Sequence, residues 1–127
     1  MRPLLALAAL LPLAAHATGF DARIVRAKAA IATPAGHAYD MALVPAIHAA
    51  MTGCVPPGRS AARAADSFTT VASVATDGRV RDVQVRPATP LSRCFARELG
   101  ALRLQTPPKA RRPGDPHPIL IEIRDRF

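Results

Sequence analysis

From Phe68 to the end of the chain, the period of the apolar positions changes from strand to helix and back. Phe68-Thr69-Thr70-Val71-Ala72-Ser73-Val74-Ala75 is dominated by residues that suit a pleated, half-buried surface. Asp77-Gly78 follows, and then Val80 to Arg86. Asp-Gly between two such runs predicts a β-hairpin, because a type I′ turn requires positive φ at both central residues. A two-residue loop would set Thr76 opposite Arg79, Ala72 opposite Val83 and Thr70 opposite Val85, with Val83 and Val85 on one face. Val80 is out of phase with Val83, as Val74 is with Val71, so a bulge is expected near the turn.

The next segment reads as a helix. Thr89 is positioned to cap it, and Pro90 fits the first turn, where a missing N–H is harmless. Leu91, Cys94, Phe95, Leu99 and Leu102 recur at helical spacing, with Arg93, Arg97 and Glu98 largely off that face. Pro107-Pro108 stops the helix, and Lys109 to His117 reads as an exposed loop. Ile119, Ile121 and Ile123 alternate with Leu120, Glu122 and Arg124, the period of a half-buried strand.

Upstream, Tyr39 to Thr52 reads as a helix carrying Leu43, Val44, Ile47, His48 and Met51, with Asp40 as N-cap and Gly53 as its end. Pro45 requires that this helix either begin close to it or kink there. Thr18 to Ala38 holds Ile24, Val25 and Ile31 among Arg23, Arg26 and Lys28, a pattern compatible with a short helix or with an arm, and Thr33-Pro34-Ala35-Gly36 reads as a break. Val55-Pro56-Pro57-Gly58 is a stop, and Arg59 to Ser67 a weakly structured connector. The predicted fold is α+β: an N-terminal helix, then a β-hairpin, a helix and a final strand. These form a three-stranded antiparallel sheet with helices packed on one face.

Met1 to Ala17 changes the setting. Arg2 precedes an apolar run from Leu4 to Ala14, and Ala15-His16-Ala17 has the small-x-small form of a cleavage site. The pattern is that of a secretory signal peptide, and the run is too short for a comfortable permanent span. The expectation is a chain exported to the periplasm and cut after Ala17, with no transmembrane anchor. Residues 18–38 then form a basic segment of uncertain order, and 39–127 one domain. Cys54 and Cys94 are the only two cysteines of the chain. In an oxidising compartment a Cys54–Cys94 disulfide is expected, the alternative being two separately buried thiols. His37, His48 and His117 show no pairing at metal-ligand spacing, so neither a metal nor a cofactor is expected.

The order helix, Cys54, connector, Thr76-Asp77-Gly78-Arg79-Val80, Val83-Gln84-Val85, helix with Cys94, Pro107-Pro108 and final strand resembles the C-terminal domain of TonB. It is more similar still to the AgmX/PglI-type relatives of that domain, whose two cysteines fall at these places. The resemblance covers about residues 39–127 and implies a TonB-C-like fold. It departs at Leu102 to Pro107, where the family's aromatic-rich segment has no aromatic residue here. The transducers also carry an inner-membrane anchor and a long proline-rich spacer, neither of which is read in this chain. Force transmission to outer-membrane transporters is therefore not implied.

Three functions compete. A free interaction module would accept an extended peptide on a sheet edge, for which Ile119, Ile121 and Ile123 mark the candidate strand, set against Arg124, Asp125 and Arg126 as blunting charges. A binder of anionic envelope components, such as lipopolysaccharide, lipid head groups or an acidic partner, would use Arg103, Lys109, Arg111 and Arg112, in a chain of formal charge +8. An enzyme needs a nucleophile, a base and an orienting group; Ser60, Ser67, Ser73 and Ser92 lie in no nucleophile motif, and no catalytic residue is assigned. With one tyrosine, four phenylalanines and no tryptophan, the chain also lacks the aromatic platforms that stack nucleic-acid bases.

Overall fold

The computed structural model describes residues 19–56 and 67–124; residues 1–18, on which the expected signal peptide falls, residues 57–66 and residues 125–127 lie outside the described residues. Three helices and three strands follow in the order α1 (Gly19–Ile31), α2 (Pro34–Thr52), β1 (Phe68–Val74), β2 (Val80–Arg86), α3 (Pro90–Gly100) and β3 (His117–Ile123). The strands form one antiparallel sheet in the order β2-β1-β3. The predicted α+β fold is thus present, with β1 at its centre.

The hairpin differs from expectation in its loop and agrees in its far register. The Ala75 N–H donates to the Arg79 carbonyl at 2.8 Å, and the Gly78 N–H to the Ala75 carbonyl at 2.8 Å. Gly78 has φ +87°. The loop therefore has three residues, Thr76 to Gly78, with glycine in the left-handed position, and it sets Val74 opposite Val80. Between Val71 and Ser73 the partner on β2 steps from Gln84 to Arg81, an extra residue centred on Asp82, whose φ is +53°. This bulge restores the register, so Thr70 does pair with Val85. It also brings Val80, Val83 and Val85 to the same core face.

That face is covered by α2 and α3. Leu43, Ala50 and Met51 of α2 and Phe95 and Leu99 of α3 pack with Phe68, Ala72 and Val74 of β1 and Ile119 and Ile121 of β3. Phe68 and Phe95 meet with ring centroids 5.6 Å apart. Helix α3 begins as the sequence indicates, at Thr89, whose hydroxyl accepts the Ser92 N–H. The Ser92 hydroxyl in turn accepts the Thr89 N–H at 2.8 Å, closing a capping box.

The two helices of the predicted fold, α2 and α3, share one sheet face as expected, and α1 adds a third helix on the other face. Phe20 and Ala27 are buried, with the Arg86 guanidinium 4.4 Å from the Phe20 ring centre. Val71 points to this side and is 1% exposed, which explains why Val71 and Val74 of the central strand are both apolar although they face opposite ways. Asp21 in the first turn and Lys28 in the last complement the helix dipole.

Two boundaries move. Helix α2 starts at Pro34 with Thr33 as its N-cap, not at Asp40: the Thr33 hydroxyl oxygen accepts the Gly36 N–H at 3.0 Å. The break read at Thr33-Pro34-Ala35-Gly36 is the short joint between α1 and α2. Pro45 sits inside α2, neither starting the helix nor ending it. It lies on an exposed face, as does Met41, the residue whose carbonyl a proline at this position cannot pair with.

Candidate functional site

The residues singled out from the sequence separate into three places. In β3, Ile119 and Ile121 are 4% and 7% exposed and Ile123 is half-buried. Their side chains build the core, so what β3 offers a partner is its backbone. On one side β3 pairs with β1 along its whole length, from Phe68↔Ile123 to Val74↔His117. On the other side no described strand pairs with it.

Beside that open edge runs a groove between α2 and β3. It has a volume of about 340 Å³, with Val44, Ile47 and Met51 on the helix side and Ile121 and Ile123 on the strand side. Val44 is 51% exposed and Met41, one turn earlier on the helix, 57%. His48, also on the groove, is exposed. Asp40 and Glu122 supply the acidic groups of the lining, and Glu122 accepts a hydrogen bond from Arg124 at 2.9 Å. Of the charges read as blunting the edge, Arg124 is paired with Glu122, while Asp125 and Arg126 lie outside the described residues.

Arg103 is held against the hairpin, in an isolated bridge with Arg79. Lys109, Arg111 and Arg112 are exposed in the loop that follows. Arg103 contributes to the field at Asp77. That carboxyl is held below its ordinary range chiefly by the Arg79 N–H, which it accepts at 3.0 Å, with Arg79, Arg103 and Arg81 adding to the effect.

Cys54 and Cys94 form a disulfide, Cα to Cα 5.8 Å. Cys54 follows the Gly53 C-cap of α2 and Cys94 lies mid-way along α3, so the bond joins the two helices that cover the core face. Among the described residues, no group of three or more His, Cys, Asp or Glu is placed to hold a metal ion. Nor is any described helix long and apolar enough to cross a membrane.

The sequence reading missed a second cleft. Arg23 and Arg26, one turn apart on α1, line it together with Ser73, Asp115, Pro116 and Pro118. The only hint was the interleaving of arginines with Ile24 and Val25, in a stretch too sparse in large aliphatics to be assigned as a helix.

No family model, curated protein or solved structure matches the chain.

Proposed function

We propose that this protein is a non-enzymatic interaction module of the cell envelope, exported to the periplasm after removal of Met1 to Ala17. It takes an extended peptide segment of a partner protein along the open edge of β3. The observation that carries this reading is the coincidence of a β3 edge that pairs with no described strand and an apolar groove formed with α2. An added strand would obtain main-chain hydrogen bonds from β3, and alternate side chains would enter the groove against Val44, Ile47 and Met51. The likeness to the TonB C-terminal domain in the order of helices, cysteines and strands supports the same reading, and the Cys54–Cys94 disulfide accords with an oxidising compartment.

The test is capture from envelope extract at low and high salt, with Val44→Asp as the blocking variant. Val44 is half exposed, so the variant keeps its core while placing a charge in the groove. Salt-resistant capture by the wild type, lost in Val44→Asp and accompanied by slowed amide exchange in residues 117–123 on adding the purified partner, supports strand addition. Partners that all leave at high salt, or that bind Val44→Asp equally well, refute it. A proline at Ile121 is unsuitable as a probe, because Ile121 belongs to the core and to the β1–β3 ladder.

A further inference from the structure

The cleft under α1 lies on the sheet face away from the β3 groove. Ser73 and Pro118 are neighbours across the β1–β3 ladder and form part of its floor. Arg23 and Arg26 come from the helix above, and Asp115 and Pro116 from the segment entering β3. Its volume is about 300 Å³.

Its cationic side is under-used. Arg23 is half-buried, and among the described residues its guanidinium makes one hydrogen bond, donating to the Ser73 hydroxyl at a long 3.4 Å. A guanidinium carries five N–H donors. Arg26 joins no ion pair among the described residues, and neither does Asp115. Burial lowers the Arg23 pKa from its ordinary value, Asp82 pulls it back, and the like charge of Arg26 adds to the fall. Two cations at one cleft repel each other, and an anion between them reverses that term.

We propose that this cleft binds a phosphate group carried on a small organic body, a phosphomonoester, with Arg23 and Arg26 holding the phosphate oxygens and the Ser73 hydroxyl donating to a third. A carboxylate is filled by one guanidinium fork, whereas two forks and a hydroxyl match the several acceptors of a tetrahedral oxyanion. The cleft is larger than a bare phosphate needs, and Pro116 and Pro118 give the organic body an apolar wall. Asp115 opposes the anion and keeps its affinity moderate.

Titration calorimetry of the purified protein with inorganic phosphate and with glycerol 3-phosphate tests this. Saturable binding is expected for both, tighter for glycerol 3-phosphate. Arg26→Gln, an exposed position whose change leaves the fold intact, weakens binding about ten- to a hundredfold. Asp115→Asn tightens it. Vesicles containing phosphatidic acid separate the two sources of the group: retention on them that Arg26→Gln abolishes assigns a lipid headgroup, and binding of glycerol 3-phosphate without retention assigns a soluble ester. Absence of saturable binding, equal affinity in Arg26→Gln, or weaker binding in Asp115→Asn overturns the proposal. None of these results bears on strand addition at β3, which uses the other side of the sheet.

Discussion

Tyr39 and His117 meet edge to face, ring centroids 5.0 Å apart, joining α2 to the first residue of β3. The Tyr39 hydroxyl donates to the Gln105 carbonyl at 2.9 Å, so the same side chain also holds the segment after α3. Burial lowers the His117 pKa, and Asp40 offsets part of that fall. The folded state therefore favours the neutral imidazole more than the unfolded chain does. The resulting stabilisation is fully present above the ordinary histidine value, about 6.5, and is lost as pH falls from there through the lower folded-state value. The urea midpoint of the wild type is expected to drop between about pH 7.5 and pH 5, and that of His117→Gln to drop less. Equal slopes in the two proteins would show that His117 is not the titrating group.

The disulfide closes a separation of 40 residues that spans the connector and the whole hairpin. In the chain-entropy account, removing it relaxes the unfolded ensemble and costs about 4 kcal/mol. Cys94→Ser, or the wild type in reductant, should unfold at a much lower denaturant concentration. Because the staple joins α2 to α3, the loss should come with early exposure of the face between them, which alkylation of a thiol placed at Leu91 would report. Intact-protein mass spectrometry showing two free thiols in the native protein would contradict the bond.

How far the chain could be read depended on how local the deciding physics was. The α3 cap at Thr89 and the period-two run in β3 depend on neighbours in sequence, and both were legible. The hairpin was legible in an uneven way: the loop has one residue more than Asp77-Gly78 suggests, the Asp82 bulge cancels the offset, and Thr70 meets Val85 as expected. Helix α1 stayed one of two alternatives, helix or arm, because Ala27, its most deeply buried residue, is small and gives little apolar signal. The α2 start was masked by Thr33-Pro34-Ala35-Gly36, which reads as a break although Thr33 caps the helix and Pro34 opens it. The two candidate sites were illegible for a further reason. The groove needs α2 beside β3, and the cleft needs α1 beside the entry to β3; both are long-range pairings that no local pattern encodes. The isoleucines of β3 pointed to the right strand, but their side chains face the core, so the edge is a property of the backbone.

Thr70 is fully buried, and among the described residues its hydroxyl has no hydrogen-bond partner. It lies between Val85 and Ile121 on the core face of the central strand. A buried, unpartnered hydroxyl is destabilising, and valine removes it at nearly the same shape. Thr70→Val should therefore raise stability by about 1 kcal/mol, whereas Thr70→Ala, which leaves a void, should lower it. Chemical denaturation of the three proteins decides the point; a loss in Thr70→Val would mean that the hydroxyl is hydrogen-bonded in solution.

Gly78 and Gly114 allow backbone strain to be separated from close packing. Both have positive φ, +87° and +88°. A Cβ at Gly114 would meet nothing within 4 Å, whereas at Gly78 it would run into the Leu104 carbonyl. Gly78 is close because its own carbonyl accepts the Leu104 N–H at 2.8 Å, which fastens the segment after α3 onto the hairpin turn and seats buried Leu104 in the core. Alanine at Gly114 meets only the left-handed penalty, about 1–2 kcal/mol. Alanine at Gly78 meets the same penalty and must also displace Leu104, so it should cost about 3 kcal/mol or more. Urea unfolding of Gly78→Ala and Gly114→Ala measures the difference, and amide exchange at Leu104 locates it: the Leu104 N–H should lose protection in Gly78→Ala and keep it in Gly114→Ala. Equal losses of stability in the two variants would show that the contact between the turn and Leu104 contributes nothing beyond the backbone conformation of the glycine.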